Sequence, residues 1–225
     1  MIGATIVGLP ILGALACVLV VYAGAVMQAA TGVGVGILSS PVLLLVDPDF
    51  IPAAVVVSVL PLSFSVAIAD RAHIDRSGVT AALIGRVPGL ILGAVVVAAI
   101  SDDVLAILVS TTVLLGVAVS ITTKRFTPTT PALVLAGFGS GFTGTAVGVG
   151  GPPIAMTYQH SDPVTMRATI SFFFSVGSVL TAIALVIAGE LGRRQLELVA
   201  LLLPSILLGL ATARRYKSKL VGSGV

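Results

Sequence analysis

Thr145-Ala146-Val147-Gly148-Val149-Gly150-Gly151-Pro152-Pro153 interrupts an otherwise apolar stretch, and Thr31-Gly32-Val33-Gly34-Val35-Gly36, followed by Ser39-Ser40-Pro41, does the same earlier in the chain. Each glycine gives up about 1 kcal/mol of helix propensity relative to alanine. A break in an apolar helix also frees backbone amides that lipid cannot satisfy, so protein, water or a ligand must do so. Two such runs predict two discontinuous helices whose irregular backbone lines a cavity. Both carry Gly-Val-Gly, and Gly34 to Gly148 is a shift of 148 − 34 = 114 residues.

The remaining composition fixes the solvent. Of 225 residues, 57% are hydrophobic and 9% charged, and the mean hydropathy is +1.18. Soluble domains carry about 25% charged residues, so this chain cannot cover a water-facing surface and is read as an integral membrane protein. Its apolar runs are long and continuous, each able to cross about 30 Å of hydrocarbon, which excludes the alternation of a β-barrel. The stretch Met1 to Tyr22 lacks a basic start and a small-residue cleavage site, and reads as a retained helix. The lone Cys17 excludes an intrachain disulfide framework and a cysteine-rich metal site. The net charge of +3 comes from basic residues in loops and at the C-terminal end, which suits a membrane face and not nucleic acid.

Taken in order, spans are expected at about 4–29, 52–69, 79–100 and 103–122, with a short apolar segment at about 36–46 after the first break. A linker, 124–131, contains Lys124-Arg125 and two prolines. The second half opens with a helix at about 131–147, rich in the small residues that let helix backbones approach closely. After the second break come a short segment to Gln159 and spans at about 166–188 and 196–213. Besides the glycine runs, Pro88 and Gly93 match Pro204 and Gly209 at a shift of 204 − 88 = 116 residues. The expected fold is therefore an all-α, polytopic helical bundle forming one transmembrane transporter domain, 1–225. It has two repeat-related halves, about 1–123 and 132–225, each with a glycine-broken helix or short re-entrant segment. The second half lacks a counterpart of the 103–122 helix, and from that we expect self-association. The positive-inside rule puts the 71–76 and 124–125 loops in the cytoplasm. If each broken region enters and returns, the halves are inverted; if each crosses once, they are parallel.

Duplicated halves with broken helices are the pattern of secondary transporters, which bind substrate near mid-membrane at the repeat interface and alternate access by rocking. A helix beginning at a glycine break presents free amides and a positive dipole end, which suits an anion, and Pro152-Pro153 suits a first helical turn. The candidate substrate-binding residues are Thr31, Gly32, Gly34, Gly36, Ser39, Ser40 and Pro41 in the first break, and Thr145, Gly148, Gly150, Gly151, Pro152 and Pro153 in the second. The threonine and serine hydroxyls are read either as donors to oxyanion oxygens or as local caps of freed backbone. Gln28 and Gln159 flank the region. Arg86 and Arg167 are candidates for an anion path; as alternatives, Arg86 snorkels to the interface and Arg167 anchors its helix or pairs with Asp162. No Asp, Glu or His lies deep in an expected span, which disfavours proton coupling through a buried carboxylate. The glycine runs lack the Gly-Lys-Ser/Thr ending of a phosphate loop. No metal-ligand or nucleophile–base set is visible, so neither a cofactor nor enzymatic activity is expected.

Gly32-Val33-Gly34-Val35-Gly36 with Pro41, Gly144 to Pro153, Arg167-Ala168-Thr169 and Pro88-Gly89-Leu90-Ile91-Leu92-Gly93 together resemble the sulfite exporter TauE/SafE family, also called the 4-toluene sulfonate uptake permease family. The first motif departs from that family's tighter glycine run by its intervening valines. The resemblance implies a multi-pass transporter of the bacterial inner membrane, exporting small sulfur-containing or organic anions such as sulfite or sulfonates. A non-transporting membrane scaffold or assembly subunit is the alternative.

Overall fold

The computed structural model describes residues 5–122 and 128–216; the expected linker basic pair Lys124-Arg125 and the basic tail at 217–219 lie outside the described residues, as do the side chains of 119–122. A two-residue hairpin, β1 (Thr5–Ile6) and β2 (Leu9–Pro10), precedes nine described helices: α1 (Ile11–Thr31), α2 (Val35–Val46), α3 (Ala53–Ala69), α4 (Arg76–Val97), α5 (Asp102–Thr122), α6 (Thr130–Val147), α7 (Gly151–Tyr158), α8 (Pro163–Ala188) and α9 (Arg193–Arg215). The all-α reading holds. Among the described residues, five stretches are long and apolar enough to cross a membrane: Ile11–Thr31, Pro48–Ala69, Arg76–Val97, Pro163–Ala188 and Arg193–Arg215. The first helix starts at Ile11 and not near residue 4. Val7 and Gly8 take positive φ in the hairpin turn, and Pro10, which has no N–H to give a preceding turn, caps the helix start.

Chain direction follows from side-chain contacts. Tyr158 Oη donates to Asp75 Oδ2 at 2.9 Å, and Arg167 Nη2 lies 2.7 Å from Asp70. These bonds gather the C-terminal ends of α3 and α7 with the N-terminal ends of α4 and α8 at one end of the bundle. Arg71, Arg76, Arg214 and Arg215 sit there too, so we term it the basic end. At the other end one open cavity is lined by Asp47, Asp49, Val97, Asp102 and Glu190, from the ends of α2, α4 and α8 and the start of α5. Arg194 binds Asp47 and donates to the Val7 carbonyl at 2.6 Å, bringing the starts of α1 and α9 to this acidic end.

Both glycine breaks are hairpins. α2 doubles back along α1, with Val35 beside Gly24 and Val46 beside Gly13, so α1 and α2 both root at the acidic end. α7 doubles back along α6, with Gly150 against Gly144 and Pro153 against Gly139, so α6 and α7 root at the basic end. The two hairpins enter from opposite ends, and the helices after each run in opposite senses.

Two helix pairs, each joining one helix of residues 5–122 to one of residues 128–216, pack in the same way. α4 and α6 run parallel in closest approach: Gly85 faces Val134, Gly89 faces Phe138 and Gly93 faces Phe142, while Gly137 and Gly141 face Ala82 and Arg86. At Gly85, Gly89 and Gly137 an added methyl would collide with a backbone carbonyl of the other helix, which is the small-residue packing that membranes favour. α1 and α9 also run parallel, with Gly209 against Tyr22 and Ala25 and Tyr22 Oη 3.0 Å from Thr212 Oγ1. α3 and α8 cross antiparallel between these pairs; α3 belongs to the most enclosed span, 67% buried.

Candidate functional site

The two breaks meet. α1 ends where Gly32 adopts φ 92° and donates its N–H to the Gln28 carbonyl; α6 ends where Gly148 adopts φ 72° and donates to the Thr143 carbonyl. Glycine supplies this left-handed cap without the penalty a Cβ would bring. α2 then starts at Val35 and α7 at Gly151, the latter with proline in its first turn as the sequence predicts. Gly36 packs on the Gly148 carbonyl, and Gly151 packs on Val33 and Ile37. Between them lies a cavity of about 50 Å³ bordered by Gln28, Gly34, Gly36, Arg86, Gly144, Gly148, Gly150, Gly151, Phe174 and Ser178, with Val55, Val56 and Val59 of α3 on one wall. One water needs roughly 10–15 Å³ by this kind of measure, so the space holds a few waters or one small oxyanion. The N-terminal ends of α2 and α7 both face it and bring positive dipole ends to the same point.

Arg86 dominates the electrostatics. Its side chain is 2% exposed and belongs to α4, but reaches across to α6 and α8. Nη1 donates to Ser140 Oγ at 3.3 Å and Nη2 to Thr181 Oγ1 at 3.4 Å, both long for a charged donor. The guanidinium carbon stands 4.7 Å from the centre of the Phe173 ring and 5.9 Å from that of Phe174. Nε has no hydrogen-bond partner. Gly177 leaves the room: a Cβ there would collide with Nε. Among the described residues no carboxylate forms an ion pair with Arg86. Of the two readings open in sequence, snorkelling is set aside, because the side chain turns inward.

The predicted residues divide sharply. Gly34, Gly36, Gly148, Gly150, Gly151 and Arg86 border the cavity. Ser40 Oγ is fully buried without a partner and close to Gly148. Ser39 Oγ donates back to the Val35 carbonyl, a local helix bond. Thr31 is exposed and caps the end of α1 through the Met27 and Val33 carbonyls, at 3.0 and 2.8 Å. Thr145 is one step removed: its Oγ1 lies 3.1 Å from that of Thr181, which holds Arg86. Gly32 packs on the Arg167 backbone. Pro41 lies inside α2, Pro152 packs against Gly116 of α5 and Pro153 against Gly139.

Other residues at or behind the cavity were not among the candidate binding residues, although Gln28 was read as flanking the region. Gln28 closes the first break, its Oε1 accepting from the Val35 N–H at 3.0 Å while Nε2 donates to Ser63 at 3.4 Å. Ser140 donates to the Gly150 carbonyl as well as holding Arg86. Phe173, Phe174, Gly177, Ser178 and Thr181 all belong to α8, which reads as an ordinary span. Their one signal is polar and small residues recurring at i, i+3 and i+4 through Ser171, Ser175, Ser178 and Thr181.

Arg167 lies elsewhere. It is 2% exposed, and its Nε donates to Asp70 Oδ2 at 2.8 Å. Asp162, the partner considered from sequence, instead caps its own helix, accepting from the Val164 and Thr165 N–H groups at 3.1 and 3.0 Å. A second cavity of about 50 Å³ lies here, lined by Ala29, Ala30, Ser65, Asp70, Arg167 and Arg214 among others. Among the described residues no group of three or more His, Cys, Asp or Glu is placed to hold a metal.

No curated protein and no solved structure matches the chain. A family model does: that of the sulfite exporter TauE/SafE family, over residues 16–223, which takes in both breaks, Arg86 and Arg167.

Proposed function

Since the chain belongs to the sulfite exporter TauE/SafE family, a family of membrane transporters, we propose that it carries small sulfur oxyanions through the cavity between the two breaks, with Arg86 as the cation that holds them. The observation that carries this reading is the unpaired charge of Arg86. Taking a cation out of water costs several kcal/mol unless an anion compensates it, and intramembrane arginines mark substrate or ion paths. Here the aromatic faces and two long hydroxyl bonds compensate only in part, and the free Nε leaves a donor unused. An oxyanion beside it would accept from Nε and lie at the positive dipole ends of α2 and α7.

The reciprocal packing supports reading the halves as an inverted duplication. The two left-handed caps stand 148 − 32 = 116 residues apart, the same shift as Pro88 to Pro204 and Gly93 to Gly209. Under this reading Gly32, and not Gly34, is the counterpart of Gly148. The basic end then faces the cytoplasm of a bacterium by the positive-inside rule, with Arg193 and Arg194 the exceptions. Export, from the basic end outward, is the direction we assign.

The test is ligand-induced thermal stabilisation of the purified protein, followed by flux in proteoliposomes, with sulfite, thiosulfate, sulfate, sulfoacetate and taurine. Sulfite is expected to stabilise the protein and to be carried. The stabilisation is expected to vanish in Gly150→Leu, whose side chain would fill the space between Ser140 and Gly144. No response to any of these anions, from protein shown to be folded, returns the chain to the scaffold reading.

A further inference from the structure

Residues 28 to 30 of α1 join the two small cavities. Gln28 borders the central one, and Ala29 and Ala30 line the second, nearer the basic end. Between the central cavity and that end stand two contacts from α3: the Gln28–Ser63 hydrogen bond and the buried Asp70–Arg167 pair, at 2.7 and 2.8 Å. Asp70 closes α3 and Arg167 lies in the second turn of α8, so the pair ties the two halves together. It also touches the first break: the backbone of Arg167 and Cβ of Ile170 pack on Gly32, where an added methyl would come within 3.2 Å of both. Arg214 on α9 lines the same cavity on its exposed side. A buried arginine, a carboxylate on it and a further arginine outside make an ordered series of charges leading from Arg86 to water.

We propose that Arg167 is a second anion-binding station, masked in this state by Asp70, and that the pair is the gate at the basic end. An oxyanion passing between the central cavity and that end takes the place of the Asp70 carboxylate on the Arg167 guanidinium, and Asp70 turns to water. Exchange of one carboxylate for one oxyanion keeps the buried arginine compensated throughout, whereas simple opening would strand it at a cost of several kcal/mol. The relay rests on the transport reading above; the gate does not.

Two measurements separate them. In a Cys17→Ser background, Ala29→Cys reports access to the second cavity through its reaction with a membrane-impermeant maleimide applied from the basic end. Asp70→Asn is expected to speed this labelling by about tenfold or more, as a weakened pair shifts the population towards the open form, and Asp70→Glu is expected to restore slow labelling. Unchanged labelling in folded Asp70→Asn overturns the gate, whatever the protein carries. Where Asp70→Asn alone does not fold, Asp70→Asn with Arg167→Gln removes both charges and is read in its place. The relay is read from sulfite flux. Arg167→Gln, alone or with Asp70→Asn, is expected to lower it about tenfold or more, with sulfite-induced stabilisation at the central cavity retained. Recovery of flux in the double variant shows two charges that serve only each other and overturns the relay. Loss of sulfite stabilisation in the parent protein defeats the transport reading and leaves the labelling result standing.

Discussion

Arg86 and Gly177 form a matched pair, and their variants separate a binding role from a structural one. Arg86→Gln is expected to abolish sulfite-induced stabilisation while the ligand-free melting temperature stays level or rises, because a buried unpaired charge is removed. A structural arginine would show the reverse, a lower ligand-free melting temperature. Arg86→Lys keeps the charge but not the planar fork, and is expected to keep weakened binding. Gly177→Ala places a methyl on Nε and pushes the guanidinium aside; the expected result is sulfite affinity lowered about tenfold or more, or 1.4 kcal/mol, in a protein that still purifies as folded, measured by a thermal-shift titration. At this scale the sequence was uneven. Glycine beside proline in an apolar run is conspicuous, and so is an arginine within a span. Thr31 and Ser39 looked the same as Ser40 in sequence, yet the first two turn back to local carbonyls and only Ser40 is left without a partner. A hydroxyl's choice between backbone and ligand depends on its rotamer and its neighbours, which no spacing encodes.

The caps and meshed glycines carry the predictions at the scale of the element. Gly137→Ala sets a methyl against the Ala82 carbonyl, and overpacking of this kind costs about 1–3 kcal/mol; a lower unfolding midpoint in detergent, without change in the sulfite affinity of the surviving protein, is the expected outcome. Asp75 joins three elements at the basic end. Burial alone would raise its pKa, but the Gly78 N–H, the Tyr158 hydroxyl and the Ser77 bonds outweigh it, and the carboxyl lies below its ordinary 3.8. A lowered value in the folded state means stability fully present above pH 3.8 and lost as pH falls through the folded value. Asp75→Asn is therefore expected to melt lower than the parent at neutral pH, with the gap closing below about pH 4, as read from paired melting curves. Most helices were legible as elements because apolar runs and polar turns alternate cleanly; the spans from 52 to 69 and 103 to 122 begin and end within a residue or so of the structure. The N-terminal hairpin was not: its strands are two residues each, too short to read as a pattern, and Arg194, which holds the Val7 carbonyl, is distant in sequence. The partner of Arg167 was missed for the same reason: Asp70 is 97 residues away.

Across the whole molecule, the expectation of two halves rocking against each other meets an obstacle in the packing. α4 of the first half is locked to α6 of the second, and α1 to α9. We infer that the bodies that move are these cross-half pairs with their hairpins, and that α3 and α8 form the seam between them. A short thiol-to-thiol cross-linking reagent bridging Tyr22→Cys and Thr212→Cys, in a Cys17→Ser background, joins α1 to α9, and sulfite flux is expected to survive it. Rocking of sequence halves requires that the same cross-link stop transport. The meshing of α4 with α6 adds a constraint of its own. Two helices whose backbones approach so closely at Gly85, Gly89 and Gly137 leave little room between them for one to slip past the other. On this packing the two are expected to move together. Arg86 is rooted in one helix of that pair and braced by Ser140 of the other, so it rides with the floor of the cavity. On the transport reading proposed above, the charge is then no fixed post in the wall: it moves with the anion it holds, as far as the next station.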